Sequence, residues 1–270
     1  MLSIAVSCVA LSVGSRGVFT PRHGAAHMQA SNEVQNLLSA NSALVSSLGA
    51  MAPDMSEMAR LRFALGFPEK ADAEAAMRET LAWRSGPGKS TVEAAKEAVD
   101  KATAGGGWDN DVVRDAAPHA AVLNEFITPK NILSLSTADG DLVYVIRASA
   151  IEDKKMMEKV SVDMLVEFLL YVKEVHSLVV NARSERTGRL CNVIFANDIT
   201  GTRKAPDPQF SKALTASSKS YEKLYPSLAG PTMILNLPFF LQVHPQLQPR
   251  RPTPKPNPEA QPHPWPGLKP

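Results

Sequence analysis

Few residues in this chain are placed to do chemistry. Gly86 to Thr91, GPGKST, has the glycine, lysine and hydroxyl of a phosphate-cradling loop. In G-x-x-x-x-G-K-[ST] the first glycine would fall at Trp83, and a helix rather than a strand precedes it, so the stretch reads as a surface turn. Glu174 and His176 offer an acid and a base, but two positions apart on a helix they face different ways and form no pair. His176 then reads as a surface or interface residue. His23 and His27 have an i, i+4 metal-ligand spacing but no companions. Cys8 and Cys191 lie in unrelated contexts, which gives neither a disulfide within the body nor a metal site; Cys191 reads as an inert core thiol. Asp198, ending a strand, reads as the cap of the following turn. There is no G-x-S-x-G, no H-E-x-x-H and no Cys/His cluster. The expectation is a binding protein without catalysis, cofactor or metal.

The elements that carry these residues follow from periodicity. Val34, Leu37, Leu38, Leu44, Val45 and Leu48 fit one helix from Glu33 to about Leu48, ended by Gly49 and Pro53. A second helix is expected over Asp54 to Leu65, a third over Glu69 to Arg84, and a fourth over Ser90 to Ala102. Gly105, Gly106 and Gly107 form a joint, after which a helix from about Asn110 is broken near Pro118. Leu142 to Ser149 reads as a strand after the Asp139–Gly140 turn. Ser161 caps a helix to about Ala182, with Leu165, Leu169, Val172, Leu178 and Val179 on its apolar face. Leu190 to Ala196 is a second buried strand. Asp207, an N-cap followed by Pro208, opens a helix to Leu224 with Phe210, Leu214, Tyr221 and Leu224 on one stripe. A turn through Ala229, Gly230 and Pro231 leads to a strand from Thr232 to Leu237, covered on both faces and stopped at Pro238. Strand–helix–strand–helix–strand predicts an α/β fold: an N-terminal helical region, then a lobe with a largely parallel sheet flanked by helices.

Charge narrows the partners. The overall +2 divides into +2 for residues 1–32, +3 for residues 243–270 and therefore −3 for residues 33–242. A mildly acidic body lacks the clustered Lys and Arg that phosphate backbones require, so nucleic acid is not expected as a partner.

Three stretches carry a family resemblance. Tyr225 and Pro226, then Gly230, then an apolar strand closing on Asn236, Pro238 and Phe239, resemble the CRAL-TRIO lipid-binding domain. Phosphatidylinositol-transfer and tocopherol- and retinal-binding proteins belong to that family. Arg62, Phe63, Ala64, Phe67, Ala71, Ala75, Leu81, Trp83 and Arg84 are similar to the helical region that precedes its lobe, with Gly66 where the pattern has a second basic residue. Asp198 and Gly201 match the D-L-x-G that closes an equivalent strand. The resemblance implies residues 33–105 as the helical region and 106–242 as a partial lobe. It implies a single hydrophobic lipid held between the sheet and a mobile gate helix, exchanged at membrane surfaces without chemistry. Val145, Phe168, Val193, Phe195, Tyr221 and Ile234 are the lining candidates it suggests, joined by Asn236.

The sequence also departs from the pattern. Pro231 stands where phosphoinositide-transferring members carry a lysine, so that headgroup is not expected. The family pattern stops at Gln242, before the gate helix and later strands. Residues 243–270 hold 10 of the 21 prolines, a density that excludes helix and sheet and predicts a disordered tail. The tail reads as an unspliced intron, since a valine codon at Val243 begins GT as donors do; a transcript read across Gln242 and Val243 decides this. The alternative is a scaffold or interaction module whose Pro-rich tail, around Pro252 to Pro256, docks a groove-bearing partner. Residues 1–32 form an expected targeting leader. An apolar run, Leu2 to Val13, is followed by an acid-free, Ser-, Ala- and Arg-containing stretch resembling a two-part plastid leader, with a secretory signal or a cytoplasmic protein as alternatives.

Overall fold

The computed structural model describes residues 32–201 and 205–236. The leader with Cys8, His23 and His27, the strand stop at Pro238 with Phe239, and the Pro-rich tail lie outside the described residues. Five helices come first: α1 (Glu33–Ala40), α2 (Ser42–Met51), α3 (Glu57–Gly66), α4 (Lys70–Ser85) and α5 (Lys89–Thr103). The single helix expected over 33–48 is two. Asn41 interrupts it at φ −113°, its side-chain amide donating 2.8 Å to the Leu37 carbonyl, the local competition with helix that asparagine favours. The second expected helix starts three residues late, because Ser56 rather than Asp54 is its cap and accepts from the Ala59 N–H.

The second half begins with α6 (Asn110–Asp115) and α7 (Ala120–Leu123), split near Pro118 as expected. Then come β1 (Ile132–Ser136), β2 (Leu142–Arg147), α8 (Asp153–Lys159), α9 (Val162–Thr187), β3 (Val193–Asp198), α10 (Pro208–Leu224) and β4 (Ala229–Leu235). The strands form one sheet in the order β1-β2-β3-β4, the first pair antiparallel and the other two parallel. This is the expected α/β architecture, N-terminal helices followed by a mostly parallel sheet packed with helices.

Several boundaries differ for identifiable reasons. Strand β1 and helix α8 were not expected. β1 is a short edge strand whose Ser134 and Ser136 dilute the apolar signal, and pairing with β2 supplies its order. α9 continues five residues past Ala182, to where Gly188 adopts the left-handed conformation that ends helices. The reversal before β4 lies at 225–228, with Ser227 at φ 52°, while Ala229, Gly230 and Pro231 already belong to the strand. Pro231 is accommodated where the β3–β4 register is irregular, on an edge strand. In α10 the buried positions are Ala213, Ser217, Tyr221 and Leu224; Leu214 faces outward.

Packing joins the two halves. α5 contributes Ala95, Ala98 and Ala102 to the cluster that holds Leu123, Leu165, Phe168 and Tyr171. α9 and α10 cover one face of the sheet, where Leu142, Tyr144 and Val193 meet Leu170, Val180 and Tyr221. The smaller N-terminal clusters centre on Leu61 and on Phe63 with Met77. The Arg62 guanidinium leaves them to bond four acceptors of the lobe: Asn181 Oδ1 at 2.7 Å, Asn192 Oδ1 at 3.2 Å, and the carbonyls of Ser227 at 2.6 Å and Cys191. Burial pulls its pKa down to about 10. Cys191 is a free, buried thiol, as expected.

Candidate functional site

Helices α9 and α10 cover one face of the sheet; among the described residues no hydrophobic cluster takes in the other, the open face, though its Ala196 is buried. Side chains alternate along each strand, so Leu133 and Leu135 of β1 share a face with Val143 and Val145 of β2, with Ile194 and Ala196 of β3, and with Met233 and Leu235 of β4. None of these eight apolar residues joins any hydrophobic cluster among the described residues. Leu135 is 51% and Met233 39% exposed. The exposure of Met233 leaves that face of β4 only partly covered, where its unbroken Met233-Ile234-Leu235 run suggested cover on both. Across four strands the field is about 14 Å wide, and with two residues to a strand its rows of side chains stand about 7 Å apart.

The open face ends in a polar group at the carboxyl ends of its parallel strands. Arg147 and Asp198 stand opposite each other in register. Asp198 Oδ1 accepts from the Thr200 N–H at 2.9 Å, the Thr200 hydroxyl at 2.7 Å and Asn236 Nδ2 at 2.8 Å. These bonds hold its pKa down at about 2. Asp198 therefore caps the turn, as expected, and also fixes Asn236 in a left-handed conformation.

A cavity of about 390 Å³ lies on the other face, between α9, the β1–β2 edge and α6. Phe168, Tyr171, Val172, Val175, His176, Val179 and Arg183, at three- and four-residue steps, line it from α9. Ile132, Ser134, Ser136, Leu142 and Tyr144 form the sheet wall, with Leu133 reaching it at the β1 edge, and Val113, Arg114 and Trp108 form the third side. His176 is buried rather than at the surface. Its ring meets Tyr144 edge-on at 4.8 Å, and Nε2 lies 3.4 Å from the Ser134 hydroxyl. Burial, reinforced by the Lys173 charge, pulls its pKa down to about 3.

That depression has a measurable consequence. Unfolded His176 takes up a proton below about pH 6.5 while the folded ring stays neutral to about pH 3. Over that interval the unfolded state binds more protons, so stability falls as pH falls. Urea unfolding at pH 7 and pH 5 should show His176→Phe sparing about 2 kcal/mol of the wild-type loss. Identical losses in both proteins would contradict the assignment.

The residues singled out from the sequence fall in four places. Val145 lies on the open face, and Phe168 lines the cavity. Val193, Phe195 and Tyr221 pack between the sheet and α9–α10. Ring centroids there run from Tyr144 to Phe195 at 6.0 Å and on to Tyr221 at 5.8 Å. The Lys173 ammonium sits 4.5 Å over the Tyr221 ring and 5.7 Å over that of Phe195. Burial pulls its pKa down to about 8. Ile234 lies opposite Asn197 at the edge of the covered face, and Asn236 belongs to the polar end of the open one. Sequence reasoning missed Leu133, Leu135 and Ile194 because β1 and the strand registers were not legible. Glu174 faces away from His176, as its spacing requires, and is a buried ion-pair partner of Arg84 instead.

Among the described residues no group of three or more potential metal ligands comes together, and no helix is long and apolar enough to cross a membrane. Comparison with models of known families and with curated proteins finds no match.

Proposed function

We propose that the protein binds a membrane lipid with its acyl chains against the open face of the sheet and carries it between membranes without chemistry. The observation that carries this reading is that face itself, apolar side chains in one plane with Leu135 and Met233 exposed on its two outer strands and Arg147, Asp198 and Asn236 grouped at the carboxyl ends of the parallel strands. Soluble proteins seldom expose a contiguous apolar field of this extent unless it binds something. Covering roughly 100 Å² of it would contribute on the order of 2.5 kcal/mol. The layout matches an amphiphile, chains over Val143, Val145 and Ile194 and headgroup toward Arg147, Asp198 and Asn236. The CRAL-TRIO resemblance supports the same placement, a lipid on the sheet floor. Membrane contact is peripheral in this account.

Extraction of lipid from the purified full chain tests the proposal. About one two-chain lipid per protein is expected. A protein that is folded and empty after exposure to vesicles would overturn the reading and favour an interaction module.

A further inference from the structure

We infer that the cavity beside α9 is a second, separate binding site, for a single-chain amphiphile with an anionic head. The inference does not rest on the open face, which lies on the other side of the sheet. Its first support is shape. From Phe168 to Arg183 the lining face of α9 runs about 22 Å. The volume of about 390 Å³ falls at the lower end of the ~300–1,000 Å³ of small-molecule sites. One chain fits such a groove, and a two-chain lipid does not.

The second support is polarity. The middle is apolar, built by Phe168, Tyr171, Val172 and Val175, and the α6 end carries Asn110, Arg114, Asn124 and Thr128 beside Val113. Tyr171 is already satisfied, its hydroxyl donating 2.7 Å to the Val113 carbonyl. Toward the C-terminus of α9 the wall turns polar, with Ser134, Ser136, His176 and Arg183.

The third support is charge. The lining contains two guanidiniums, Arg114 and Arg183, and no carboxylate. Arg114 is partly neutralised by Asp111 at 3.8 Å. Arg183 forms no ion pair among the described residues; it donates 3.2 Å to the Gly140 carbonyl and 2.9 Å to the Ser136 hydroxyl. A guanidinium presents five donors, so Arg183 keeps capacity for an anion. Neutral His176 adds a hydrogen-bonding group without a competing charge. A fatty-acid carboxylate or a phosphate monoester on one acyl chain meets all three conditions.

Calorimetric titration of the full chain with oleate, 1-oleoyl lysophosphatidate and oleyl alcohol tests this. At least one of the two anions should bind one to one, and at least tenfold tighter than the alcohol, because a charge-assisted hydrogen bond has that worth. Arg183→Gln should weaken the anion at least tenfold and move the alcohol by less than twofold. Equal affinity for the anions and the alcohol, or no binding of either anion, would overturn the site. So would anion binding that survives Arg183→Gln but falls in Val145→Asp, which would place the chain on the open face.

Discussion

Arg62→Ala should lower unfolding stability by about 3–5 kcal/mol, because it strands several buried acceptors at once. The side chain is 3% exposed, and its four bonds reach residues 119 to 165 positions further along the chain. It is the polar link between the N-terminal helices and the lobe. Arg62→Met, which refills the apolar volume of the stem, should recover little, since the acceptors would still lack donors. Urea unfolding gives the number. A loss below about 1 kcal/mol in both variants would mean that water replaces the guanidinium freely and that the link is incidental.

The pair Arg84–Glu174 should behave differently. Both guanidinium nitrogens lie 2.8 Å from the carboxylate oxygens, with the glutamate side chain 3% and the arginine side chain 24% exposed. Burial works against the Arg84 charge, but the hydrogen bonds and charge of Glu174 outweigh it and raise its pKa. Removing one partner, Glu174→Leu or Arg84→Met, should cost about 3–5 kcal/mol, since it leaves the other charge buried alone. Making both changes together should cost much less than either, because an apolar pair needs no desolvated charge. A double-mutant cycle reads this directly; simple additivity would show that the two side chains are not energetically coupled.

These residues show what the sequence made legible. Arg62 and Arg84 stand out in it only as positions of a basic–aromatic pattern, and Tyr225-Pro226 as part of another. The structure gives them a shared physical reason. Arg62 bonds the Ser227 carbonyl just after Pro226, and a Cβ on Gly66 would sit 2.6 Å from the Pro226 Cβ. Gly66, a departure from the pattern, is thus required by close approach to that turn. Local chemistry also predicted the caps: Ser161 accepts from Met164 and Asp207 from Gln209 and Phe210, as the residue types demand.

What was not legible depends on pairing. Val145 and Val193 look alike in sequence, yet one lies on the open face and the other is fully buried under α9 and α10. Which way a β-branched residue points follows from strand register, and a shift of one residue reverses it. The cavity lay beyond reach for the same reason. Its walls come from α6, β1, β2 and α9, and β1 had no signal of its own. His176 reads as a surface or interface residue, but packing against Tyr144 buries it.

The proposed lipid rides on the open face of the sheet. The most direct measurement is transfer of a fluorescent two-chain phospholipid between donor and acceptor vesicles by the full chain, compared with Val145→Asp and Leu135→Asp. Leu135 is half exposed, so that change should leave the fold intact, and a matching melting curve would establish it. The account predicts transfer well above the spontaneous rate, reduced at least tenfold by either carboxylate placed in the apolar field. Transfer at the spontaneous rate in the wild type, or a rate indifferent to both substitutions, would contradict it.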